Sequence, residues 1–216
     1  MAPAPASAGA WIAPEGGQEI WTNVAGARED LYFFESSAYL EAPLGESTSF
    51  VAAPWVEQSY DAPEGWRAEA VVGVKRTIFR NADTVMALQA GALWISHPSR
   101  ECDEGGAELR WLGGRSYDNG AFFNLEAATR ALGGGCGSER ADVTGGLRFA
   151  GNWLALGQVF FDAPHDGEET VKAQLSLVRF RENGRGIQLG LRVRVDGAEE
   201  AALVLGFWGP VGDRDD

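Results

Sequence analysis

The chain has 216 residues, with 31 Asp and Glu against 18 Lys and Arg, and its formal charge of −13 excludes a reader of the nucleic-acid backbone, which needs a basic footprint. The 29 Gly and 8 Trp favour strands and turns over helices, and no apolar run approaches the ~18 to 20 residues of a membrane-spanning helix. A single domain is expected at this length.

Residues 1–8 contain Ala6-Ser7-Ala8, the small-x-small pattern cut by a signal peptidase, and read as a signal-peptide remnant or, alternatively, a disordered Ala/Pro tail. Residues 9–208 read as a β domain and 209–216 as an acidic tail. Export is expected, and Cys102 and Cys136, the only cysteines, suit an oxidising compartment.

From residue 17 the spacing predicts strands at 17–27, 31–42, 48–58, 66–79, 84–96, 107–117, 121–131, 139–149, 152–161, 170–181, 186–195 and 200–208. Between them lie turn signals such as Ala-Pro-Leu-Gly (42–45), Arg-Asn-Ala-Asp (80–83), Asp-Asn-Gly (118–120), Glu-Asn-Gly (182–184) and Asp-Gly (196–197). Short connections join antiparallel neighbours and leave no room for helical crossovers. Alternation is clean where Arg140, Asp142, Thr144 and Arg148 interleave with Ala141, Val143, Leu147 and Phe149, and where Gln188, Arg192 and Arg194 interleave with Ile187, Leu189, Leu191 and Val193. The strands at 48–58, 84–96 and 152–161 fit either phase.

Alternation alone does not say which face meets water: a soluble sandwich or barrel turns its apolar face inward, a membrane barrel outward. Three features favour the membrane. The segments are near the ~9 to 11 residues of a tilted membrane strand. Aromatics gather at strand ends, with Tyr32, Phe33, Trp66, Trp94, Phe160 and Phe161 at one rim and Phe79, Tyr117, Phe122, Phe149, Trp153, Phe180, Phe207 and Trp208 at the other. Connections at the first rim are mostly longer and more acidic than those at the second.

An even strand number, two unlike rims and short turns on one of them resemble bacterial outer-membrane β-barrels over 17–208. The resemblance implies an all-β, antiparallel, up-and-down transmembrane barrel of about 12 strands. It implies an outer-membrane location, membrane lipid and the assembly machinery as partners, and a narrow pore or passive transporter for small polar or anionic solutes. Many members of that class end on an aromatic residue, whereas Phe207-Trp208 is followed here by eight further residues. The alternative is a soluble periplasmic or secreted β-sandwich or barrel that binds a ligand or partner.

A third reading rests on His97 and Ser99, in Ser96-His97-Pro98-Ser99, which resemble the His-x-Ser pair of outer-membrane phospholipase and lipid A deacylase barrels. Arg100 stands where that motif carries Asn, Pro98 disturbs a strand, and a non-enzyme is expected. With two His and no HExxH or CxxC spacing, no metal site is expected, and Gly133-Gly134-Gly135 reads as a loop and not a phosphate cradle, so no cofactor is expected.

On the barrel reading the inward faces carry Glu69, Lys75, Glu108, Arg110, Glu126, Arg130, Arg140, Asp142, Arg148, Lys172, Arg192 and Arg194 as a polar pathway, with eight bases against four acids. Buried charges need partners or water, so these should pair or line a wet path. Strand parity places Cys102 and Cys136 on the same rim and predicts a disulfide between them.

Overall fold

Segments that alternate polar and apolar side chains can pair on both edges and still satisfy each face separately, and the chain uses this throughout. The computed structural model describes residues 9–60, 62–96, 102–165, 167–197 and 199–211. It contains β1 (Gln18–Arg28), β2 (Leu31–Gly45), β3 (Thr48–Ser59), β4 (Trp66–Arg80), β5 (Thr84–Ile95), β6 (Gly105–Ser116), β7 (Ala121–Leu132), β8 (Gly137–Phe149), β9 (Trp153–Pro164), β10 (Thr170–Phe180), β11 (Gly186–Arg194) and β12 (Glu200–Gly209). Each strand pairs antiparallel with the next, and β12 returns to β1 through pairs such as Trp21 with Phe207, which closes the barrel and leaves no open edge. The expected count and up-and-down order are those adopted. The β1–β2 link is a two-residue turn, Glu29-Asp30, with φ of 47° and 68°, the primed geometry that matches strand twist.

The apolar face points outward. Leu189 and Leu191 are 63% and 62% exposed, whereas Gln188 and Arg192 on the opposite phase are 3% and 8% exposed. The soluble alternative, with the apolar face as core, is overturned by this geometry. The ambiguous strands have apolar residues on both faces: Val51, Val85, Ala87, Leu154 and Leu156 are buried inward, while Phe50, Leu88 and Val159 are exposed outward.

The aromatic girdles need one correction. Phe33, Phe122, Phe160, Phe180 and Trp208 point into the barrel, because strand phase, not nearness to a strand end, decides the face. Phe33 is buried between the guanidinium groups of Arg28 and Arg192, 5.0 and 5.9 Å from its ring centre. Phe122, Phe180 and Trp208 pack on Leu154, Leu156 and Val178, and Phe160 lines a cavity. Tyr32, Trp66, Trp94, Phe79, Tyr117, Phe149 and Phe207 do face outward, joined by Trp21, Phe34, Phe50 and Phe123.

Candidate functional site

The barrel interior is layered. At the short-turn end it is filled by apolar and amide side chains: Val85, Ala87 and Leu112 on one wall, and Leu154, Leu156 and Val178 on another. Beside the second wall, across β9 to β12, runs an amide and hydroxyl chain in which Gln174 donates to Gln158 at 2.9 Å, Gln188 to Ser176 at 3.0 Å, and the Trp208 indole to Gln188 at 2.8 Å.

Residues 9–17 occupy this end. Ala10 is fully buried and packs with the partly buried Trp11 against Val85, Ala87 and Leu112. The fully buried Lys75 donates to the Gly9 and Trp11 carbonyls at 3.0 and 2.7 Å and pairs with Glu41 at 2.7 Å. Glu41 also accepts from the Ala13 backbone, Ser49 and Tyr39. Gly114 makes the Trp11 position possible, since a Cβ there would collide with the indole.

Above this floor, toward the long connections, lies a cavity of about 710 Å³ whose lining includes Gly9, Trp55, Phe160 and a charged wall. Two ion-pair networks build the wall. In one, Glu200 is shared by Arg28, Lys172 and Arg192 at 2.9, 3.1 and 3.2 Å, Arg192 clamps Glu35 through two bonds of 2.8 and 2.6 Å, and Glu57 takes Arg67 at 3.0 Å. In the other, Arg130 bridges Glu69 and Glu108 at 2.7 Å each, Arg110 pairs with Glu108 and Glu126 at 3.1 and 2.8 Å, and Arg140 joins Glu69 to Asp162 at 3.0 and 3.1 Å. Asp142 sits 3.5 Å from Arg110. Planar guanidinium forks suit such shared carboxylates.

Of the residues expected in a polar pathway, Glu69, Glu108, Arg110, Glu126, Arg130, Arg140, Asp142, Lys172, Arg192 and Arg194 line this cavity together. Lys75 and Arg148 do not. Lys75 is spent on the N-terminal segment, and Arg148 lies over the Phe180 ring at 5.0 Å, with no carboxylate paired to it among the described residues. Arg194 reaches Asp196 in the β11–β12 connection, where the Val171 backbone N–H, with the Arg194 guanidinium, holds the Asp196 carboxyl below its ordinary pKa.

The expected excess of bases largely disappears. The interior also holds Glu35, Glu41, Glu57, Asp162 and Glu200, against two further bases, Arg28 and Arg67. Arg28 and Asp162 fall just outside the expected strands 17–27 and 152–161, because β1 and β9 run past those ends. Glu35 and Glu41 lie on a strand whose aromatics fall on both faces, which hides the alternation. The pairs are nonetheless stacked unevenly: the Arg67 and Lys172 side chains are 44% and 20% exposed, while their partners Glu57 and Glu200 are 0% and 1%. Over that part of the wall, a solute meets cationic donors in front of covered carboxylates.

Cys102, in the β5–β6 connection, is bonded to Cys136, between β7 and β8, with Cα atoms 5.7 Å apart, as parity requires. His97 and Ser99 lie outside the described residues. Among the described residues no group of three or more His, Cys, Asp or Glu is placed to hold a metal ion.

No protein-family model and no curated protein sequence matches the chain. Solved structures do. An outer membrane channel from Pseudomonas putida F1 is similar with a TM-score of 0.67 at 10% identity, over 95% of this chain and 98% of that one. The KdgM porin, also solved in complex with disordered oligogalacturonate, is similar with a TM-score of 0.62 at 6% identity, over 88% of this chain and 98% of that one. The translocator domain of the autotransporter NalP from Neisseria meningitidis has a TM-score of 0.53 at 10% identity, over 92% and 90%. The chain has the fold of bacterial outer-membrane β-barrels.

Proposed function

We propose that the chain is an outer-membrane channel that passes small polar solutes, anions among them, through a lumen narrowed at the short-turn end by residues 9–17. The observation that carries this reading is the charged cavity of about 710 Å³ inside a barrel whose outer face is apolar. A wall of paired charges is compatible with water and polar solutes, whereas a barrel that serves only as an anchor has no need of one. The KdgM porin's oligogalacturonate complex supports a polar solute class. The forward placement of Arg67 and Lys172 offers anions a cationic stretch of wall, and the forward placement of Asp142 and Asp162 in the other network, with the near balance of buried charge, keeps that preference small.

For passage, residues 9–17 must shift or leave the lumen, so the Lys75–Glu41 pair acts as the latch of the constriction. The polar-pathway residues named from the sequence, apart from Lys75 and Arg148, are the solute-facing wall. The test is solute-driven swelling of proteoliposomes. Swelling with small neutral and anionic solutes, faster for a chain lacking residues 9–17, is the expected result. No swelling with either chain, both shown to be folded by a heat-dependent gel shift, contradicts the reading.

A further inference from the structure

Among the described residues, the arginines outside the lumen are all on one rim. Among the described residues these are Arg76 and Arg80 on β4, Arg115 on β6, Arg179 on β10, and Arg181 and Arg185 in the β10–β11 turn, all exposed. Every one sits at the short-turn end. The long-connection rim has no Lys or Arg outside the lumen among the described residues, and carries acids such as Glu29, Asp30, Glu104, Glu168 and Glu199.

The arginines form two groups. Arg80 pairs with Val85 and Arg115 with the adjacent Thr84, so β5 alone separates them, a gap of roughly 10 Å at the usual strand spacing. Arg76 stands on the outward phase one step beyond the exposed Val74. The second group is Arg179, Arg181 and Arg185 around a single turn, with Arg179 one step beyond the exposed Leu177 on the outward phase. Arg115 and Arg179 therefore continue the lipid-facing stripe to the level where hydrocarbon gives way to headgroups, and on β4 the exposed Ile78 and Phe79 lie between Arg76 and Arg80. Aromatic rings hold two of them in place: Arg115 lies over Tyr117 at 5.3 Å and Arg179 over Trp153 at 5.5 Å. No described carboxylate forms an ion pair with Arg76, Arg80, Arg115, Arg179 or Arg181. Of the acids of this rim, Glu46, Asp83, Asp118 and Glu182 are in the turns themselves, and Glu19, on the outward phase of β1 beside Arg185, accepts from the Trp21 indole.

We infer that these two groups bind the phosphodiester headgroups of anionic phospholipid in the leaflet facing the short turns. The inference rests on the membrane reading above. A guanidinium at the headgroup boundary, held by an aromatic ring and free of a protein carboxylate, offers two parallel N–H donors to a phosphate. A chain of formal charge −13 otherwise repels an anionic surface, so any preference for it must come from local cations.

The experiment reconstitutes the full chain in phosphatidylcholine vesicles with and without phosphatidylglycerol and measures retained lipid by native mass spectrometry. The expected result is preferential retention of phosphatidylglycerol over phosphatidylcholine, weakened about fivefold per arginine removed in R115Q and R179Q. Both variants should keep the heat-dependent gel shift of a folded barrel. Equal retention of the two lipids by folded wild type, or unchanged preference in the doubly substituted chain, overturns the inference and leaves the channel reading intact. Failure of the wild type to insert into either vesicle overturns both.

Discussion

Lys75 and Glu41 meet at 2.7 Å with neither side chain exposed, and through them β4 and β2 hold the segment that precedes β1 inside the barrel. A buried pair of this kind is weak evidence for net stability, but removing one partner strands the other charge. The pair therefore connects the stability of the short-turn end to the state of the constriction.

Lys75→Met leaves Glu41 without its cation and frees the Gly9 and Trp11 carbonyls. Unfolding stability should fall by about 3 to 5 kcal/mol. Amide exchange in residues 9–17 should accelerate more than in the strands, and solute flux should rise. Unchanged exchange in that segment would contradict the latch.

Gly114→Val tests the same constriction from the opposite wall. The added side chain takes the space of the Trp11 ring, so the segment is displaced while Lys75 and Glu41 remain. The expected outcome is faster proteoliposome swelling by a barrel that still shows a heat-dependent gel shift.

Leu189→Arg puts a charge on the outward face, at a position 63% exposed and paired with Leu177 and Leu205. If that site lies near the bilayer midplane the cost is ~2 to 4 kcal/mol, read from denaturant unfolding in vesicles. A neutral result would argue against lipid on this face.

The Cys102–Cys136 bond closes a loop with a sequence separation of 34. Replacing both with Ser should lower stability by roughly 3 to 4 kcal/mol on the chain-entropy model, measured by unfolding of the two proteins side by side. Alkylation of the unreduced protein should find no free thiol.

The sequence made most of this fold legible, for reasons visible in particular residues. On β8 and β11 the inward positions carry no large apolar side chain, so Arg140, Asp142, Arg192 and Arg194 show their phase at once. On β5 and β9 the lumen is apolar near the short turns, and Val85 or Leu154 inside looks like Leu88 or Val159 outside. Phe33 and Trp208 read as girdle residues because an aromatic near a strand end can serve either a girdle or the lumen; Arg28 and Arg192 draw Phe33 in, and Gln188 draws in Trp208. The lumenal position of residues 9–17 had no local signal. It depends on Lys75, Glu41 and Gly114, residues distant in sequence that converge only when the barrel closes.

The most direct measurement of the central claim is the current through a planar bilayer holding the purified chain across a potassium chloride gradient. The account predicts discrete openings with a small reversal-potential bias toward chloride, more frequent in Lys75→Met than in wild type. Silent membranes with both folded proteins, or a strong preference for potassium, would contradict it.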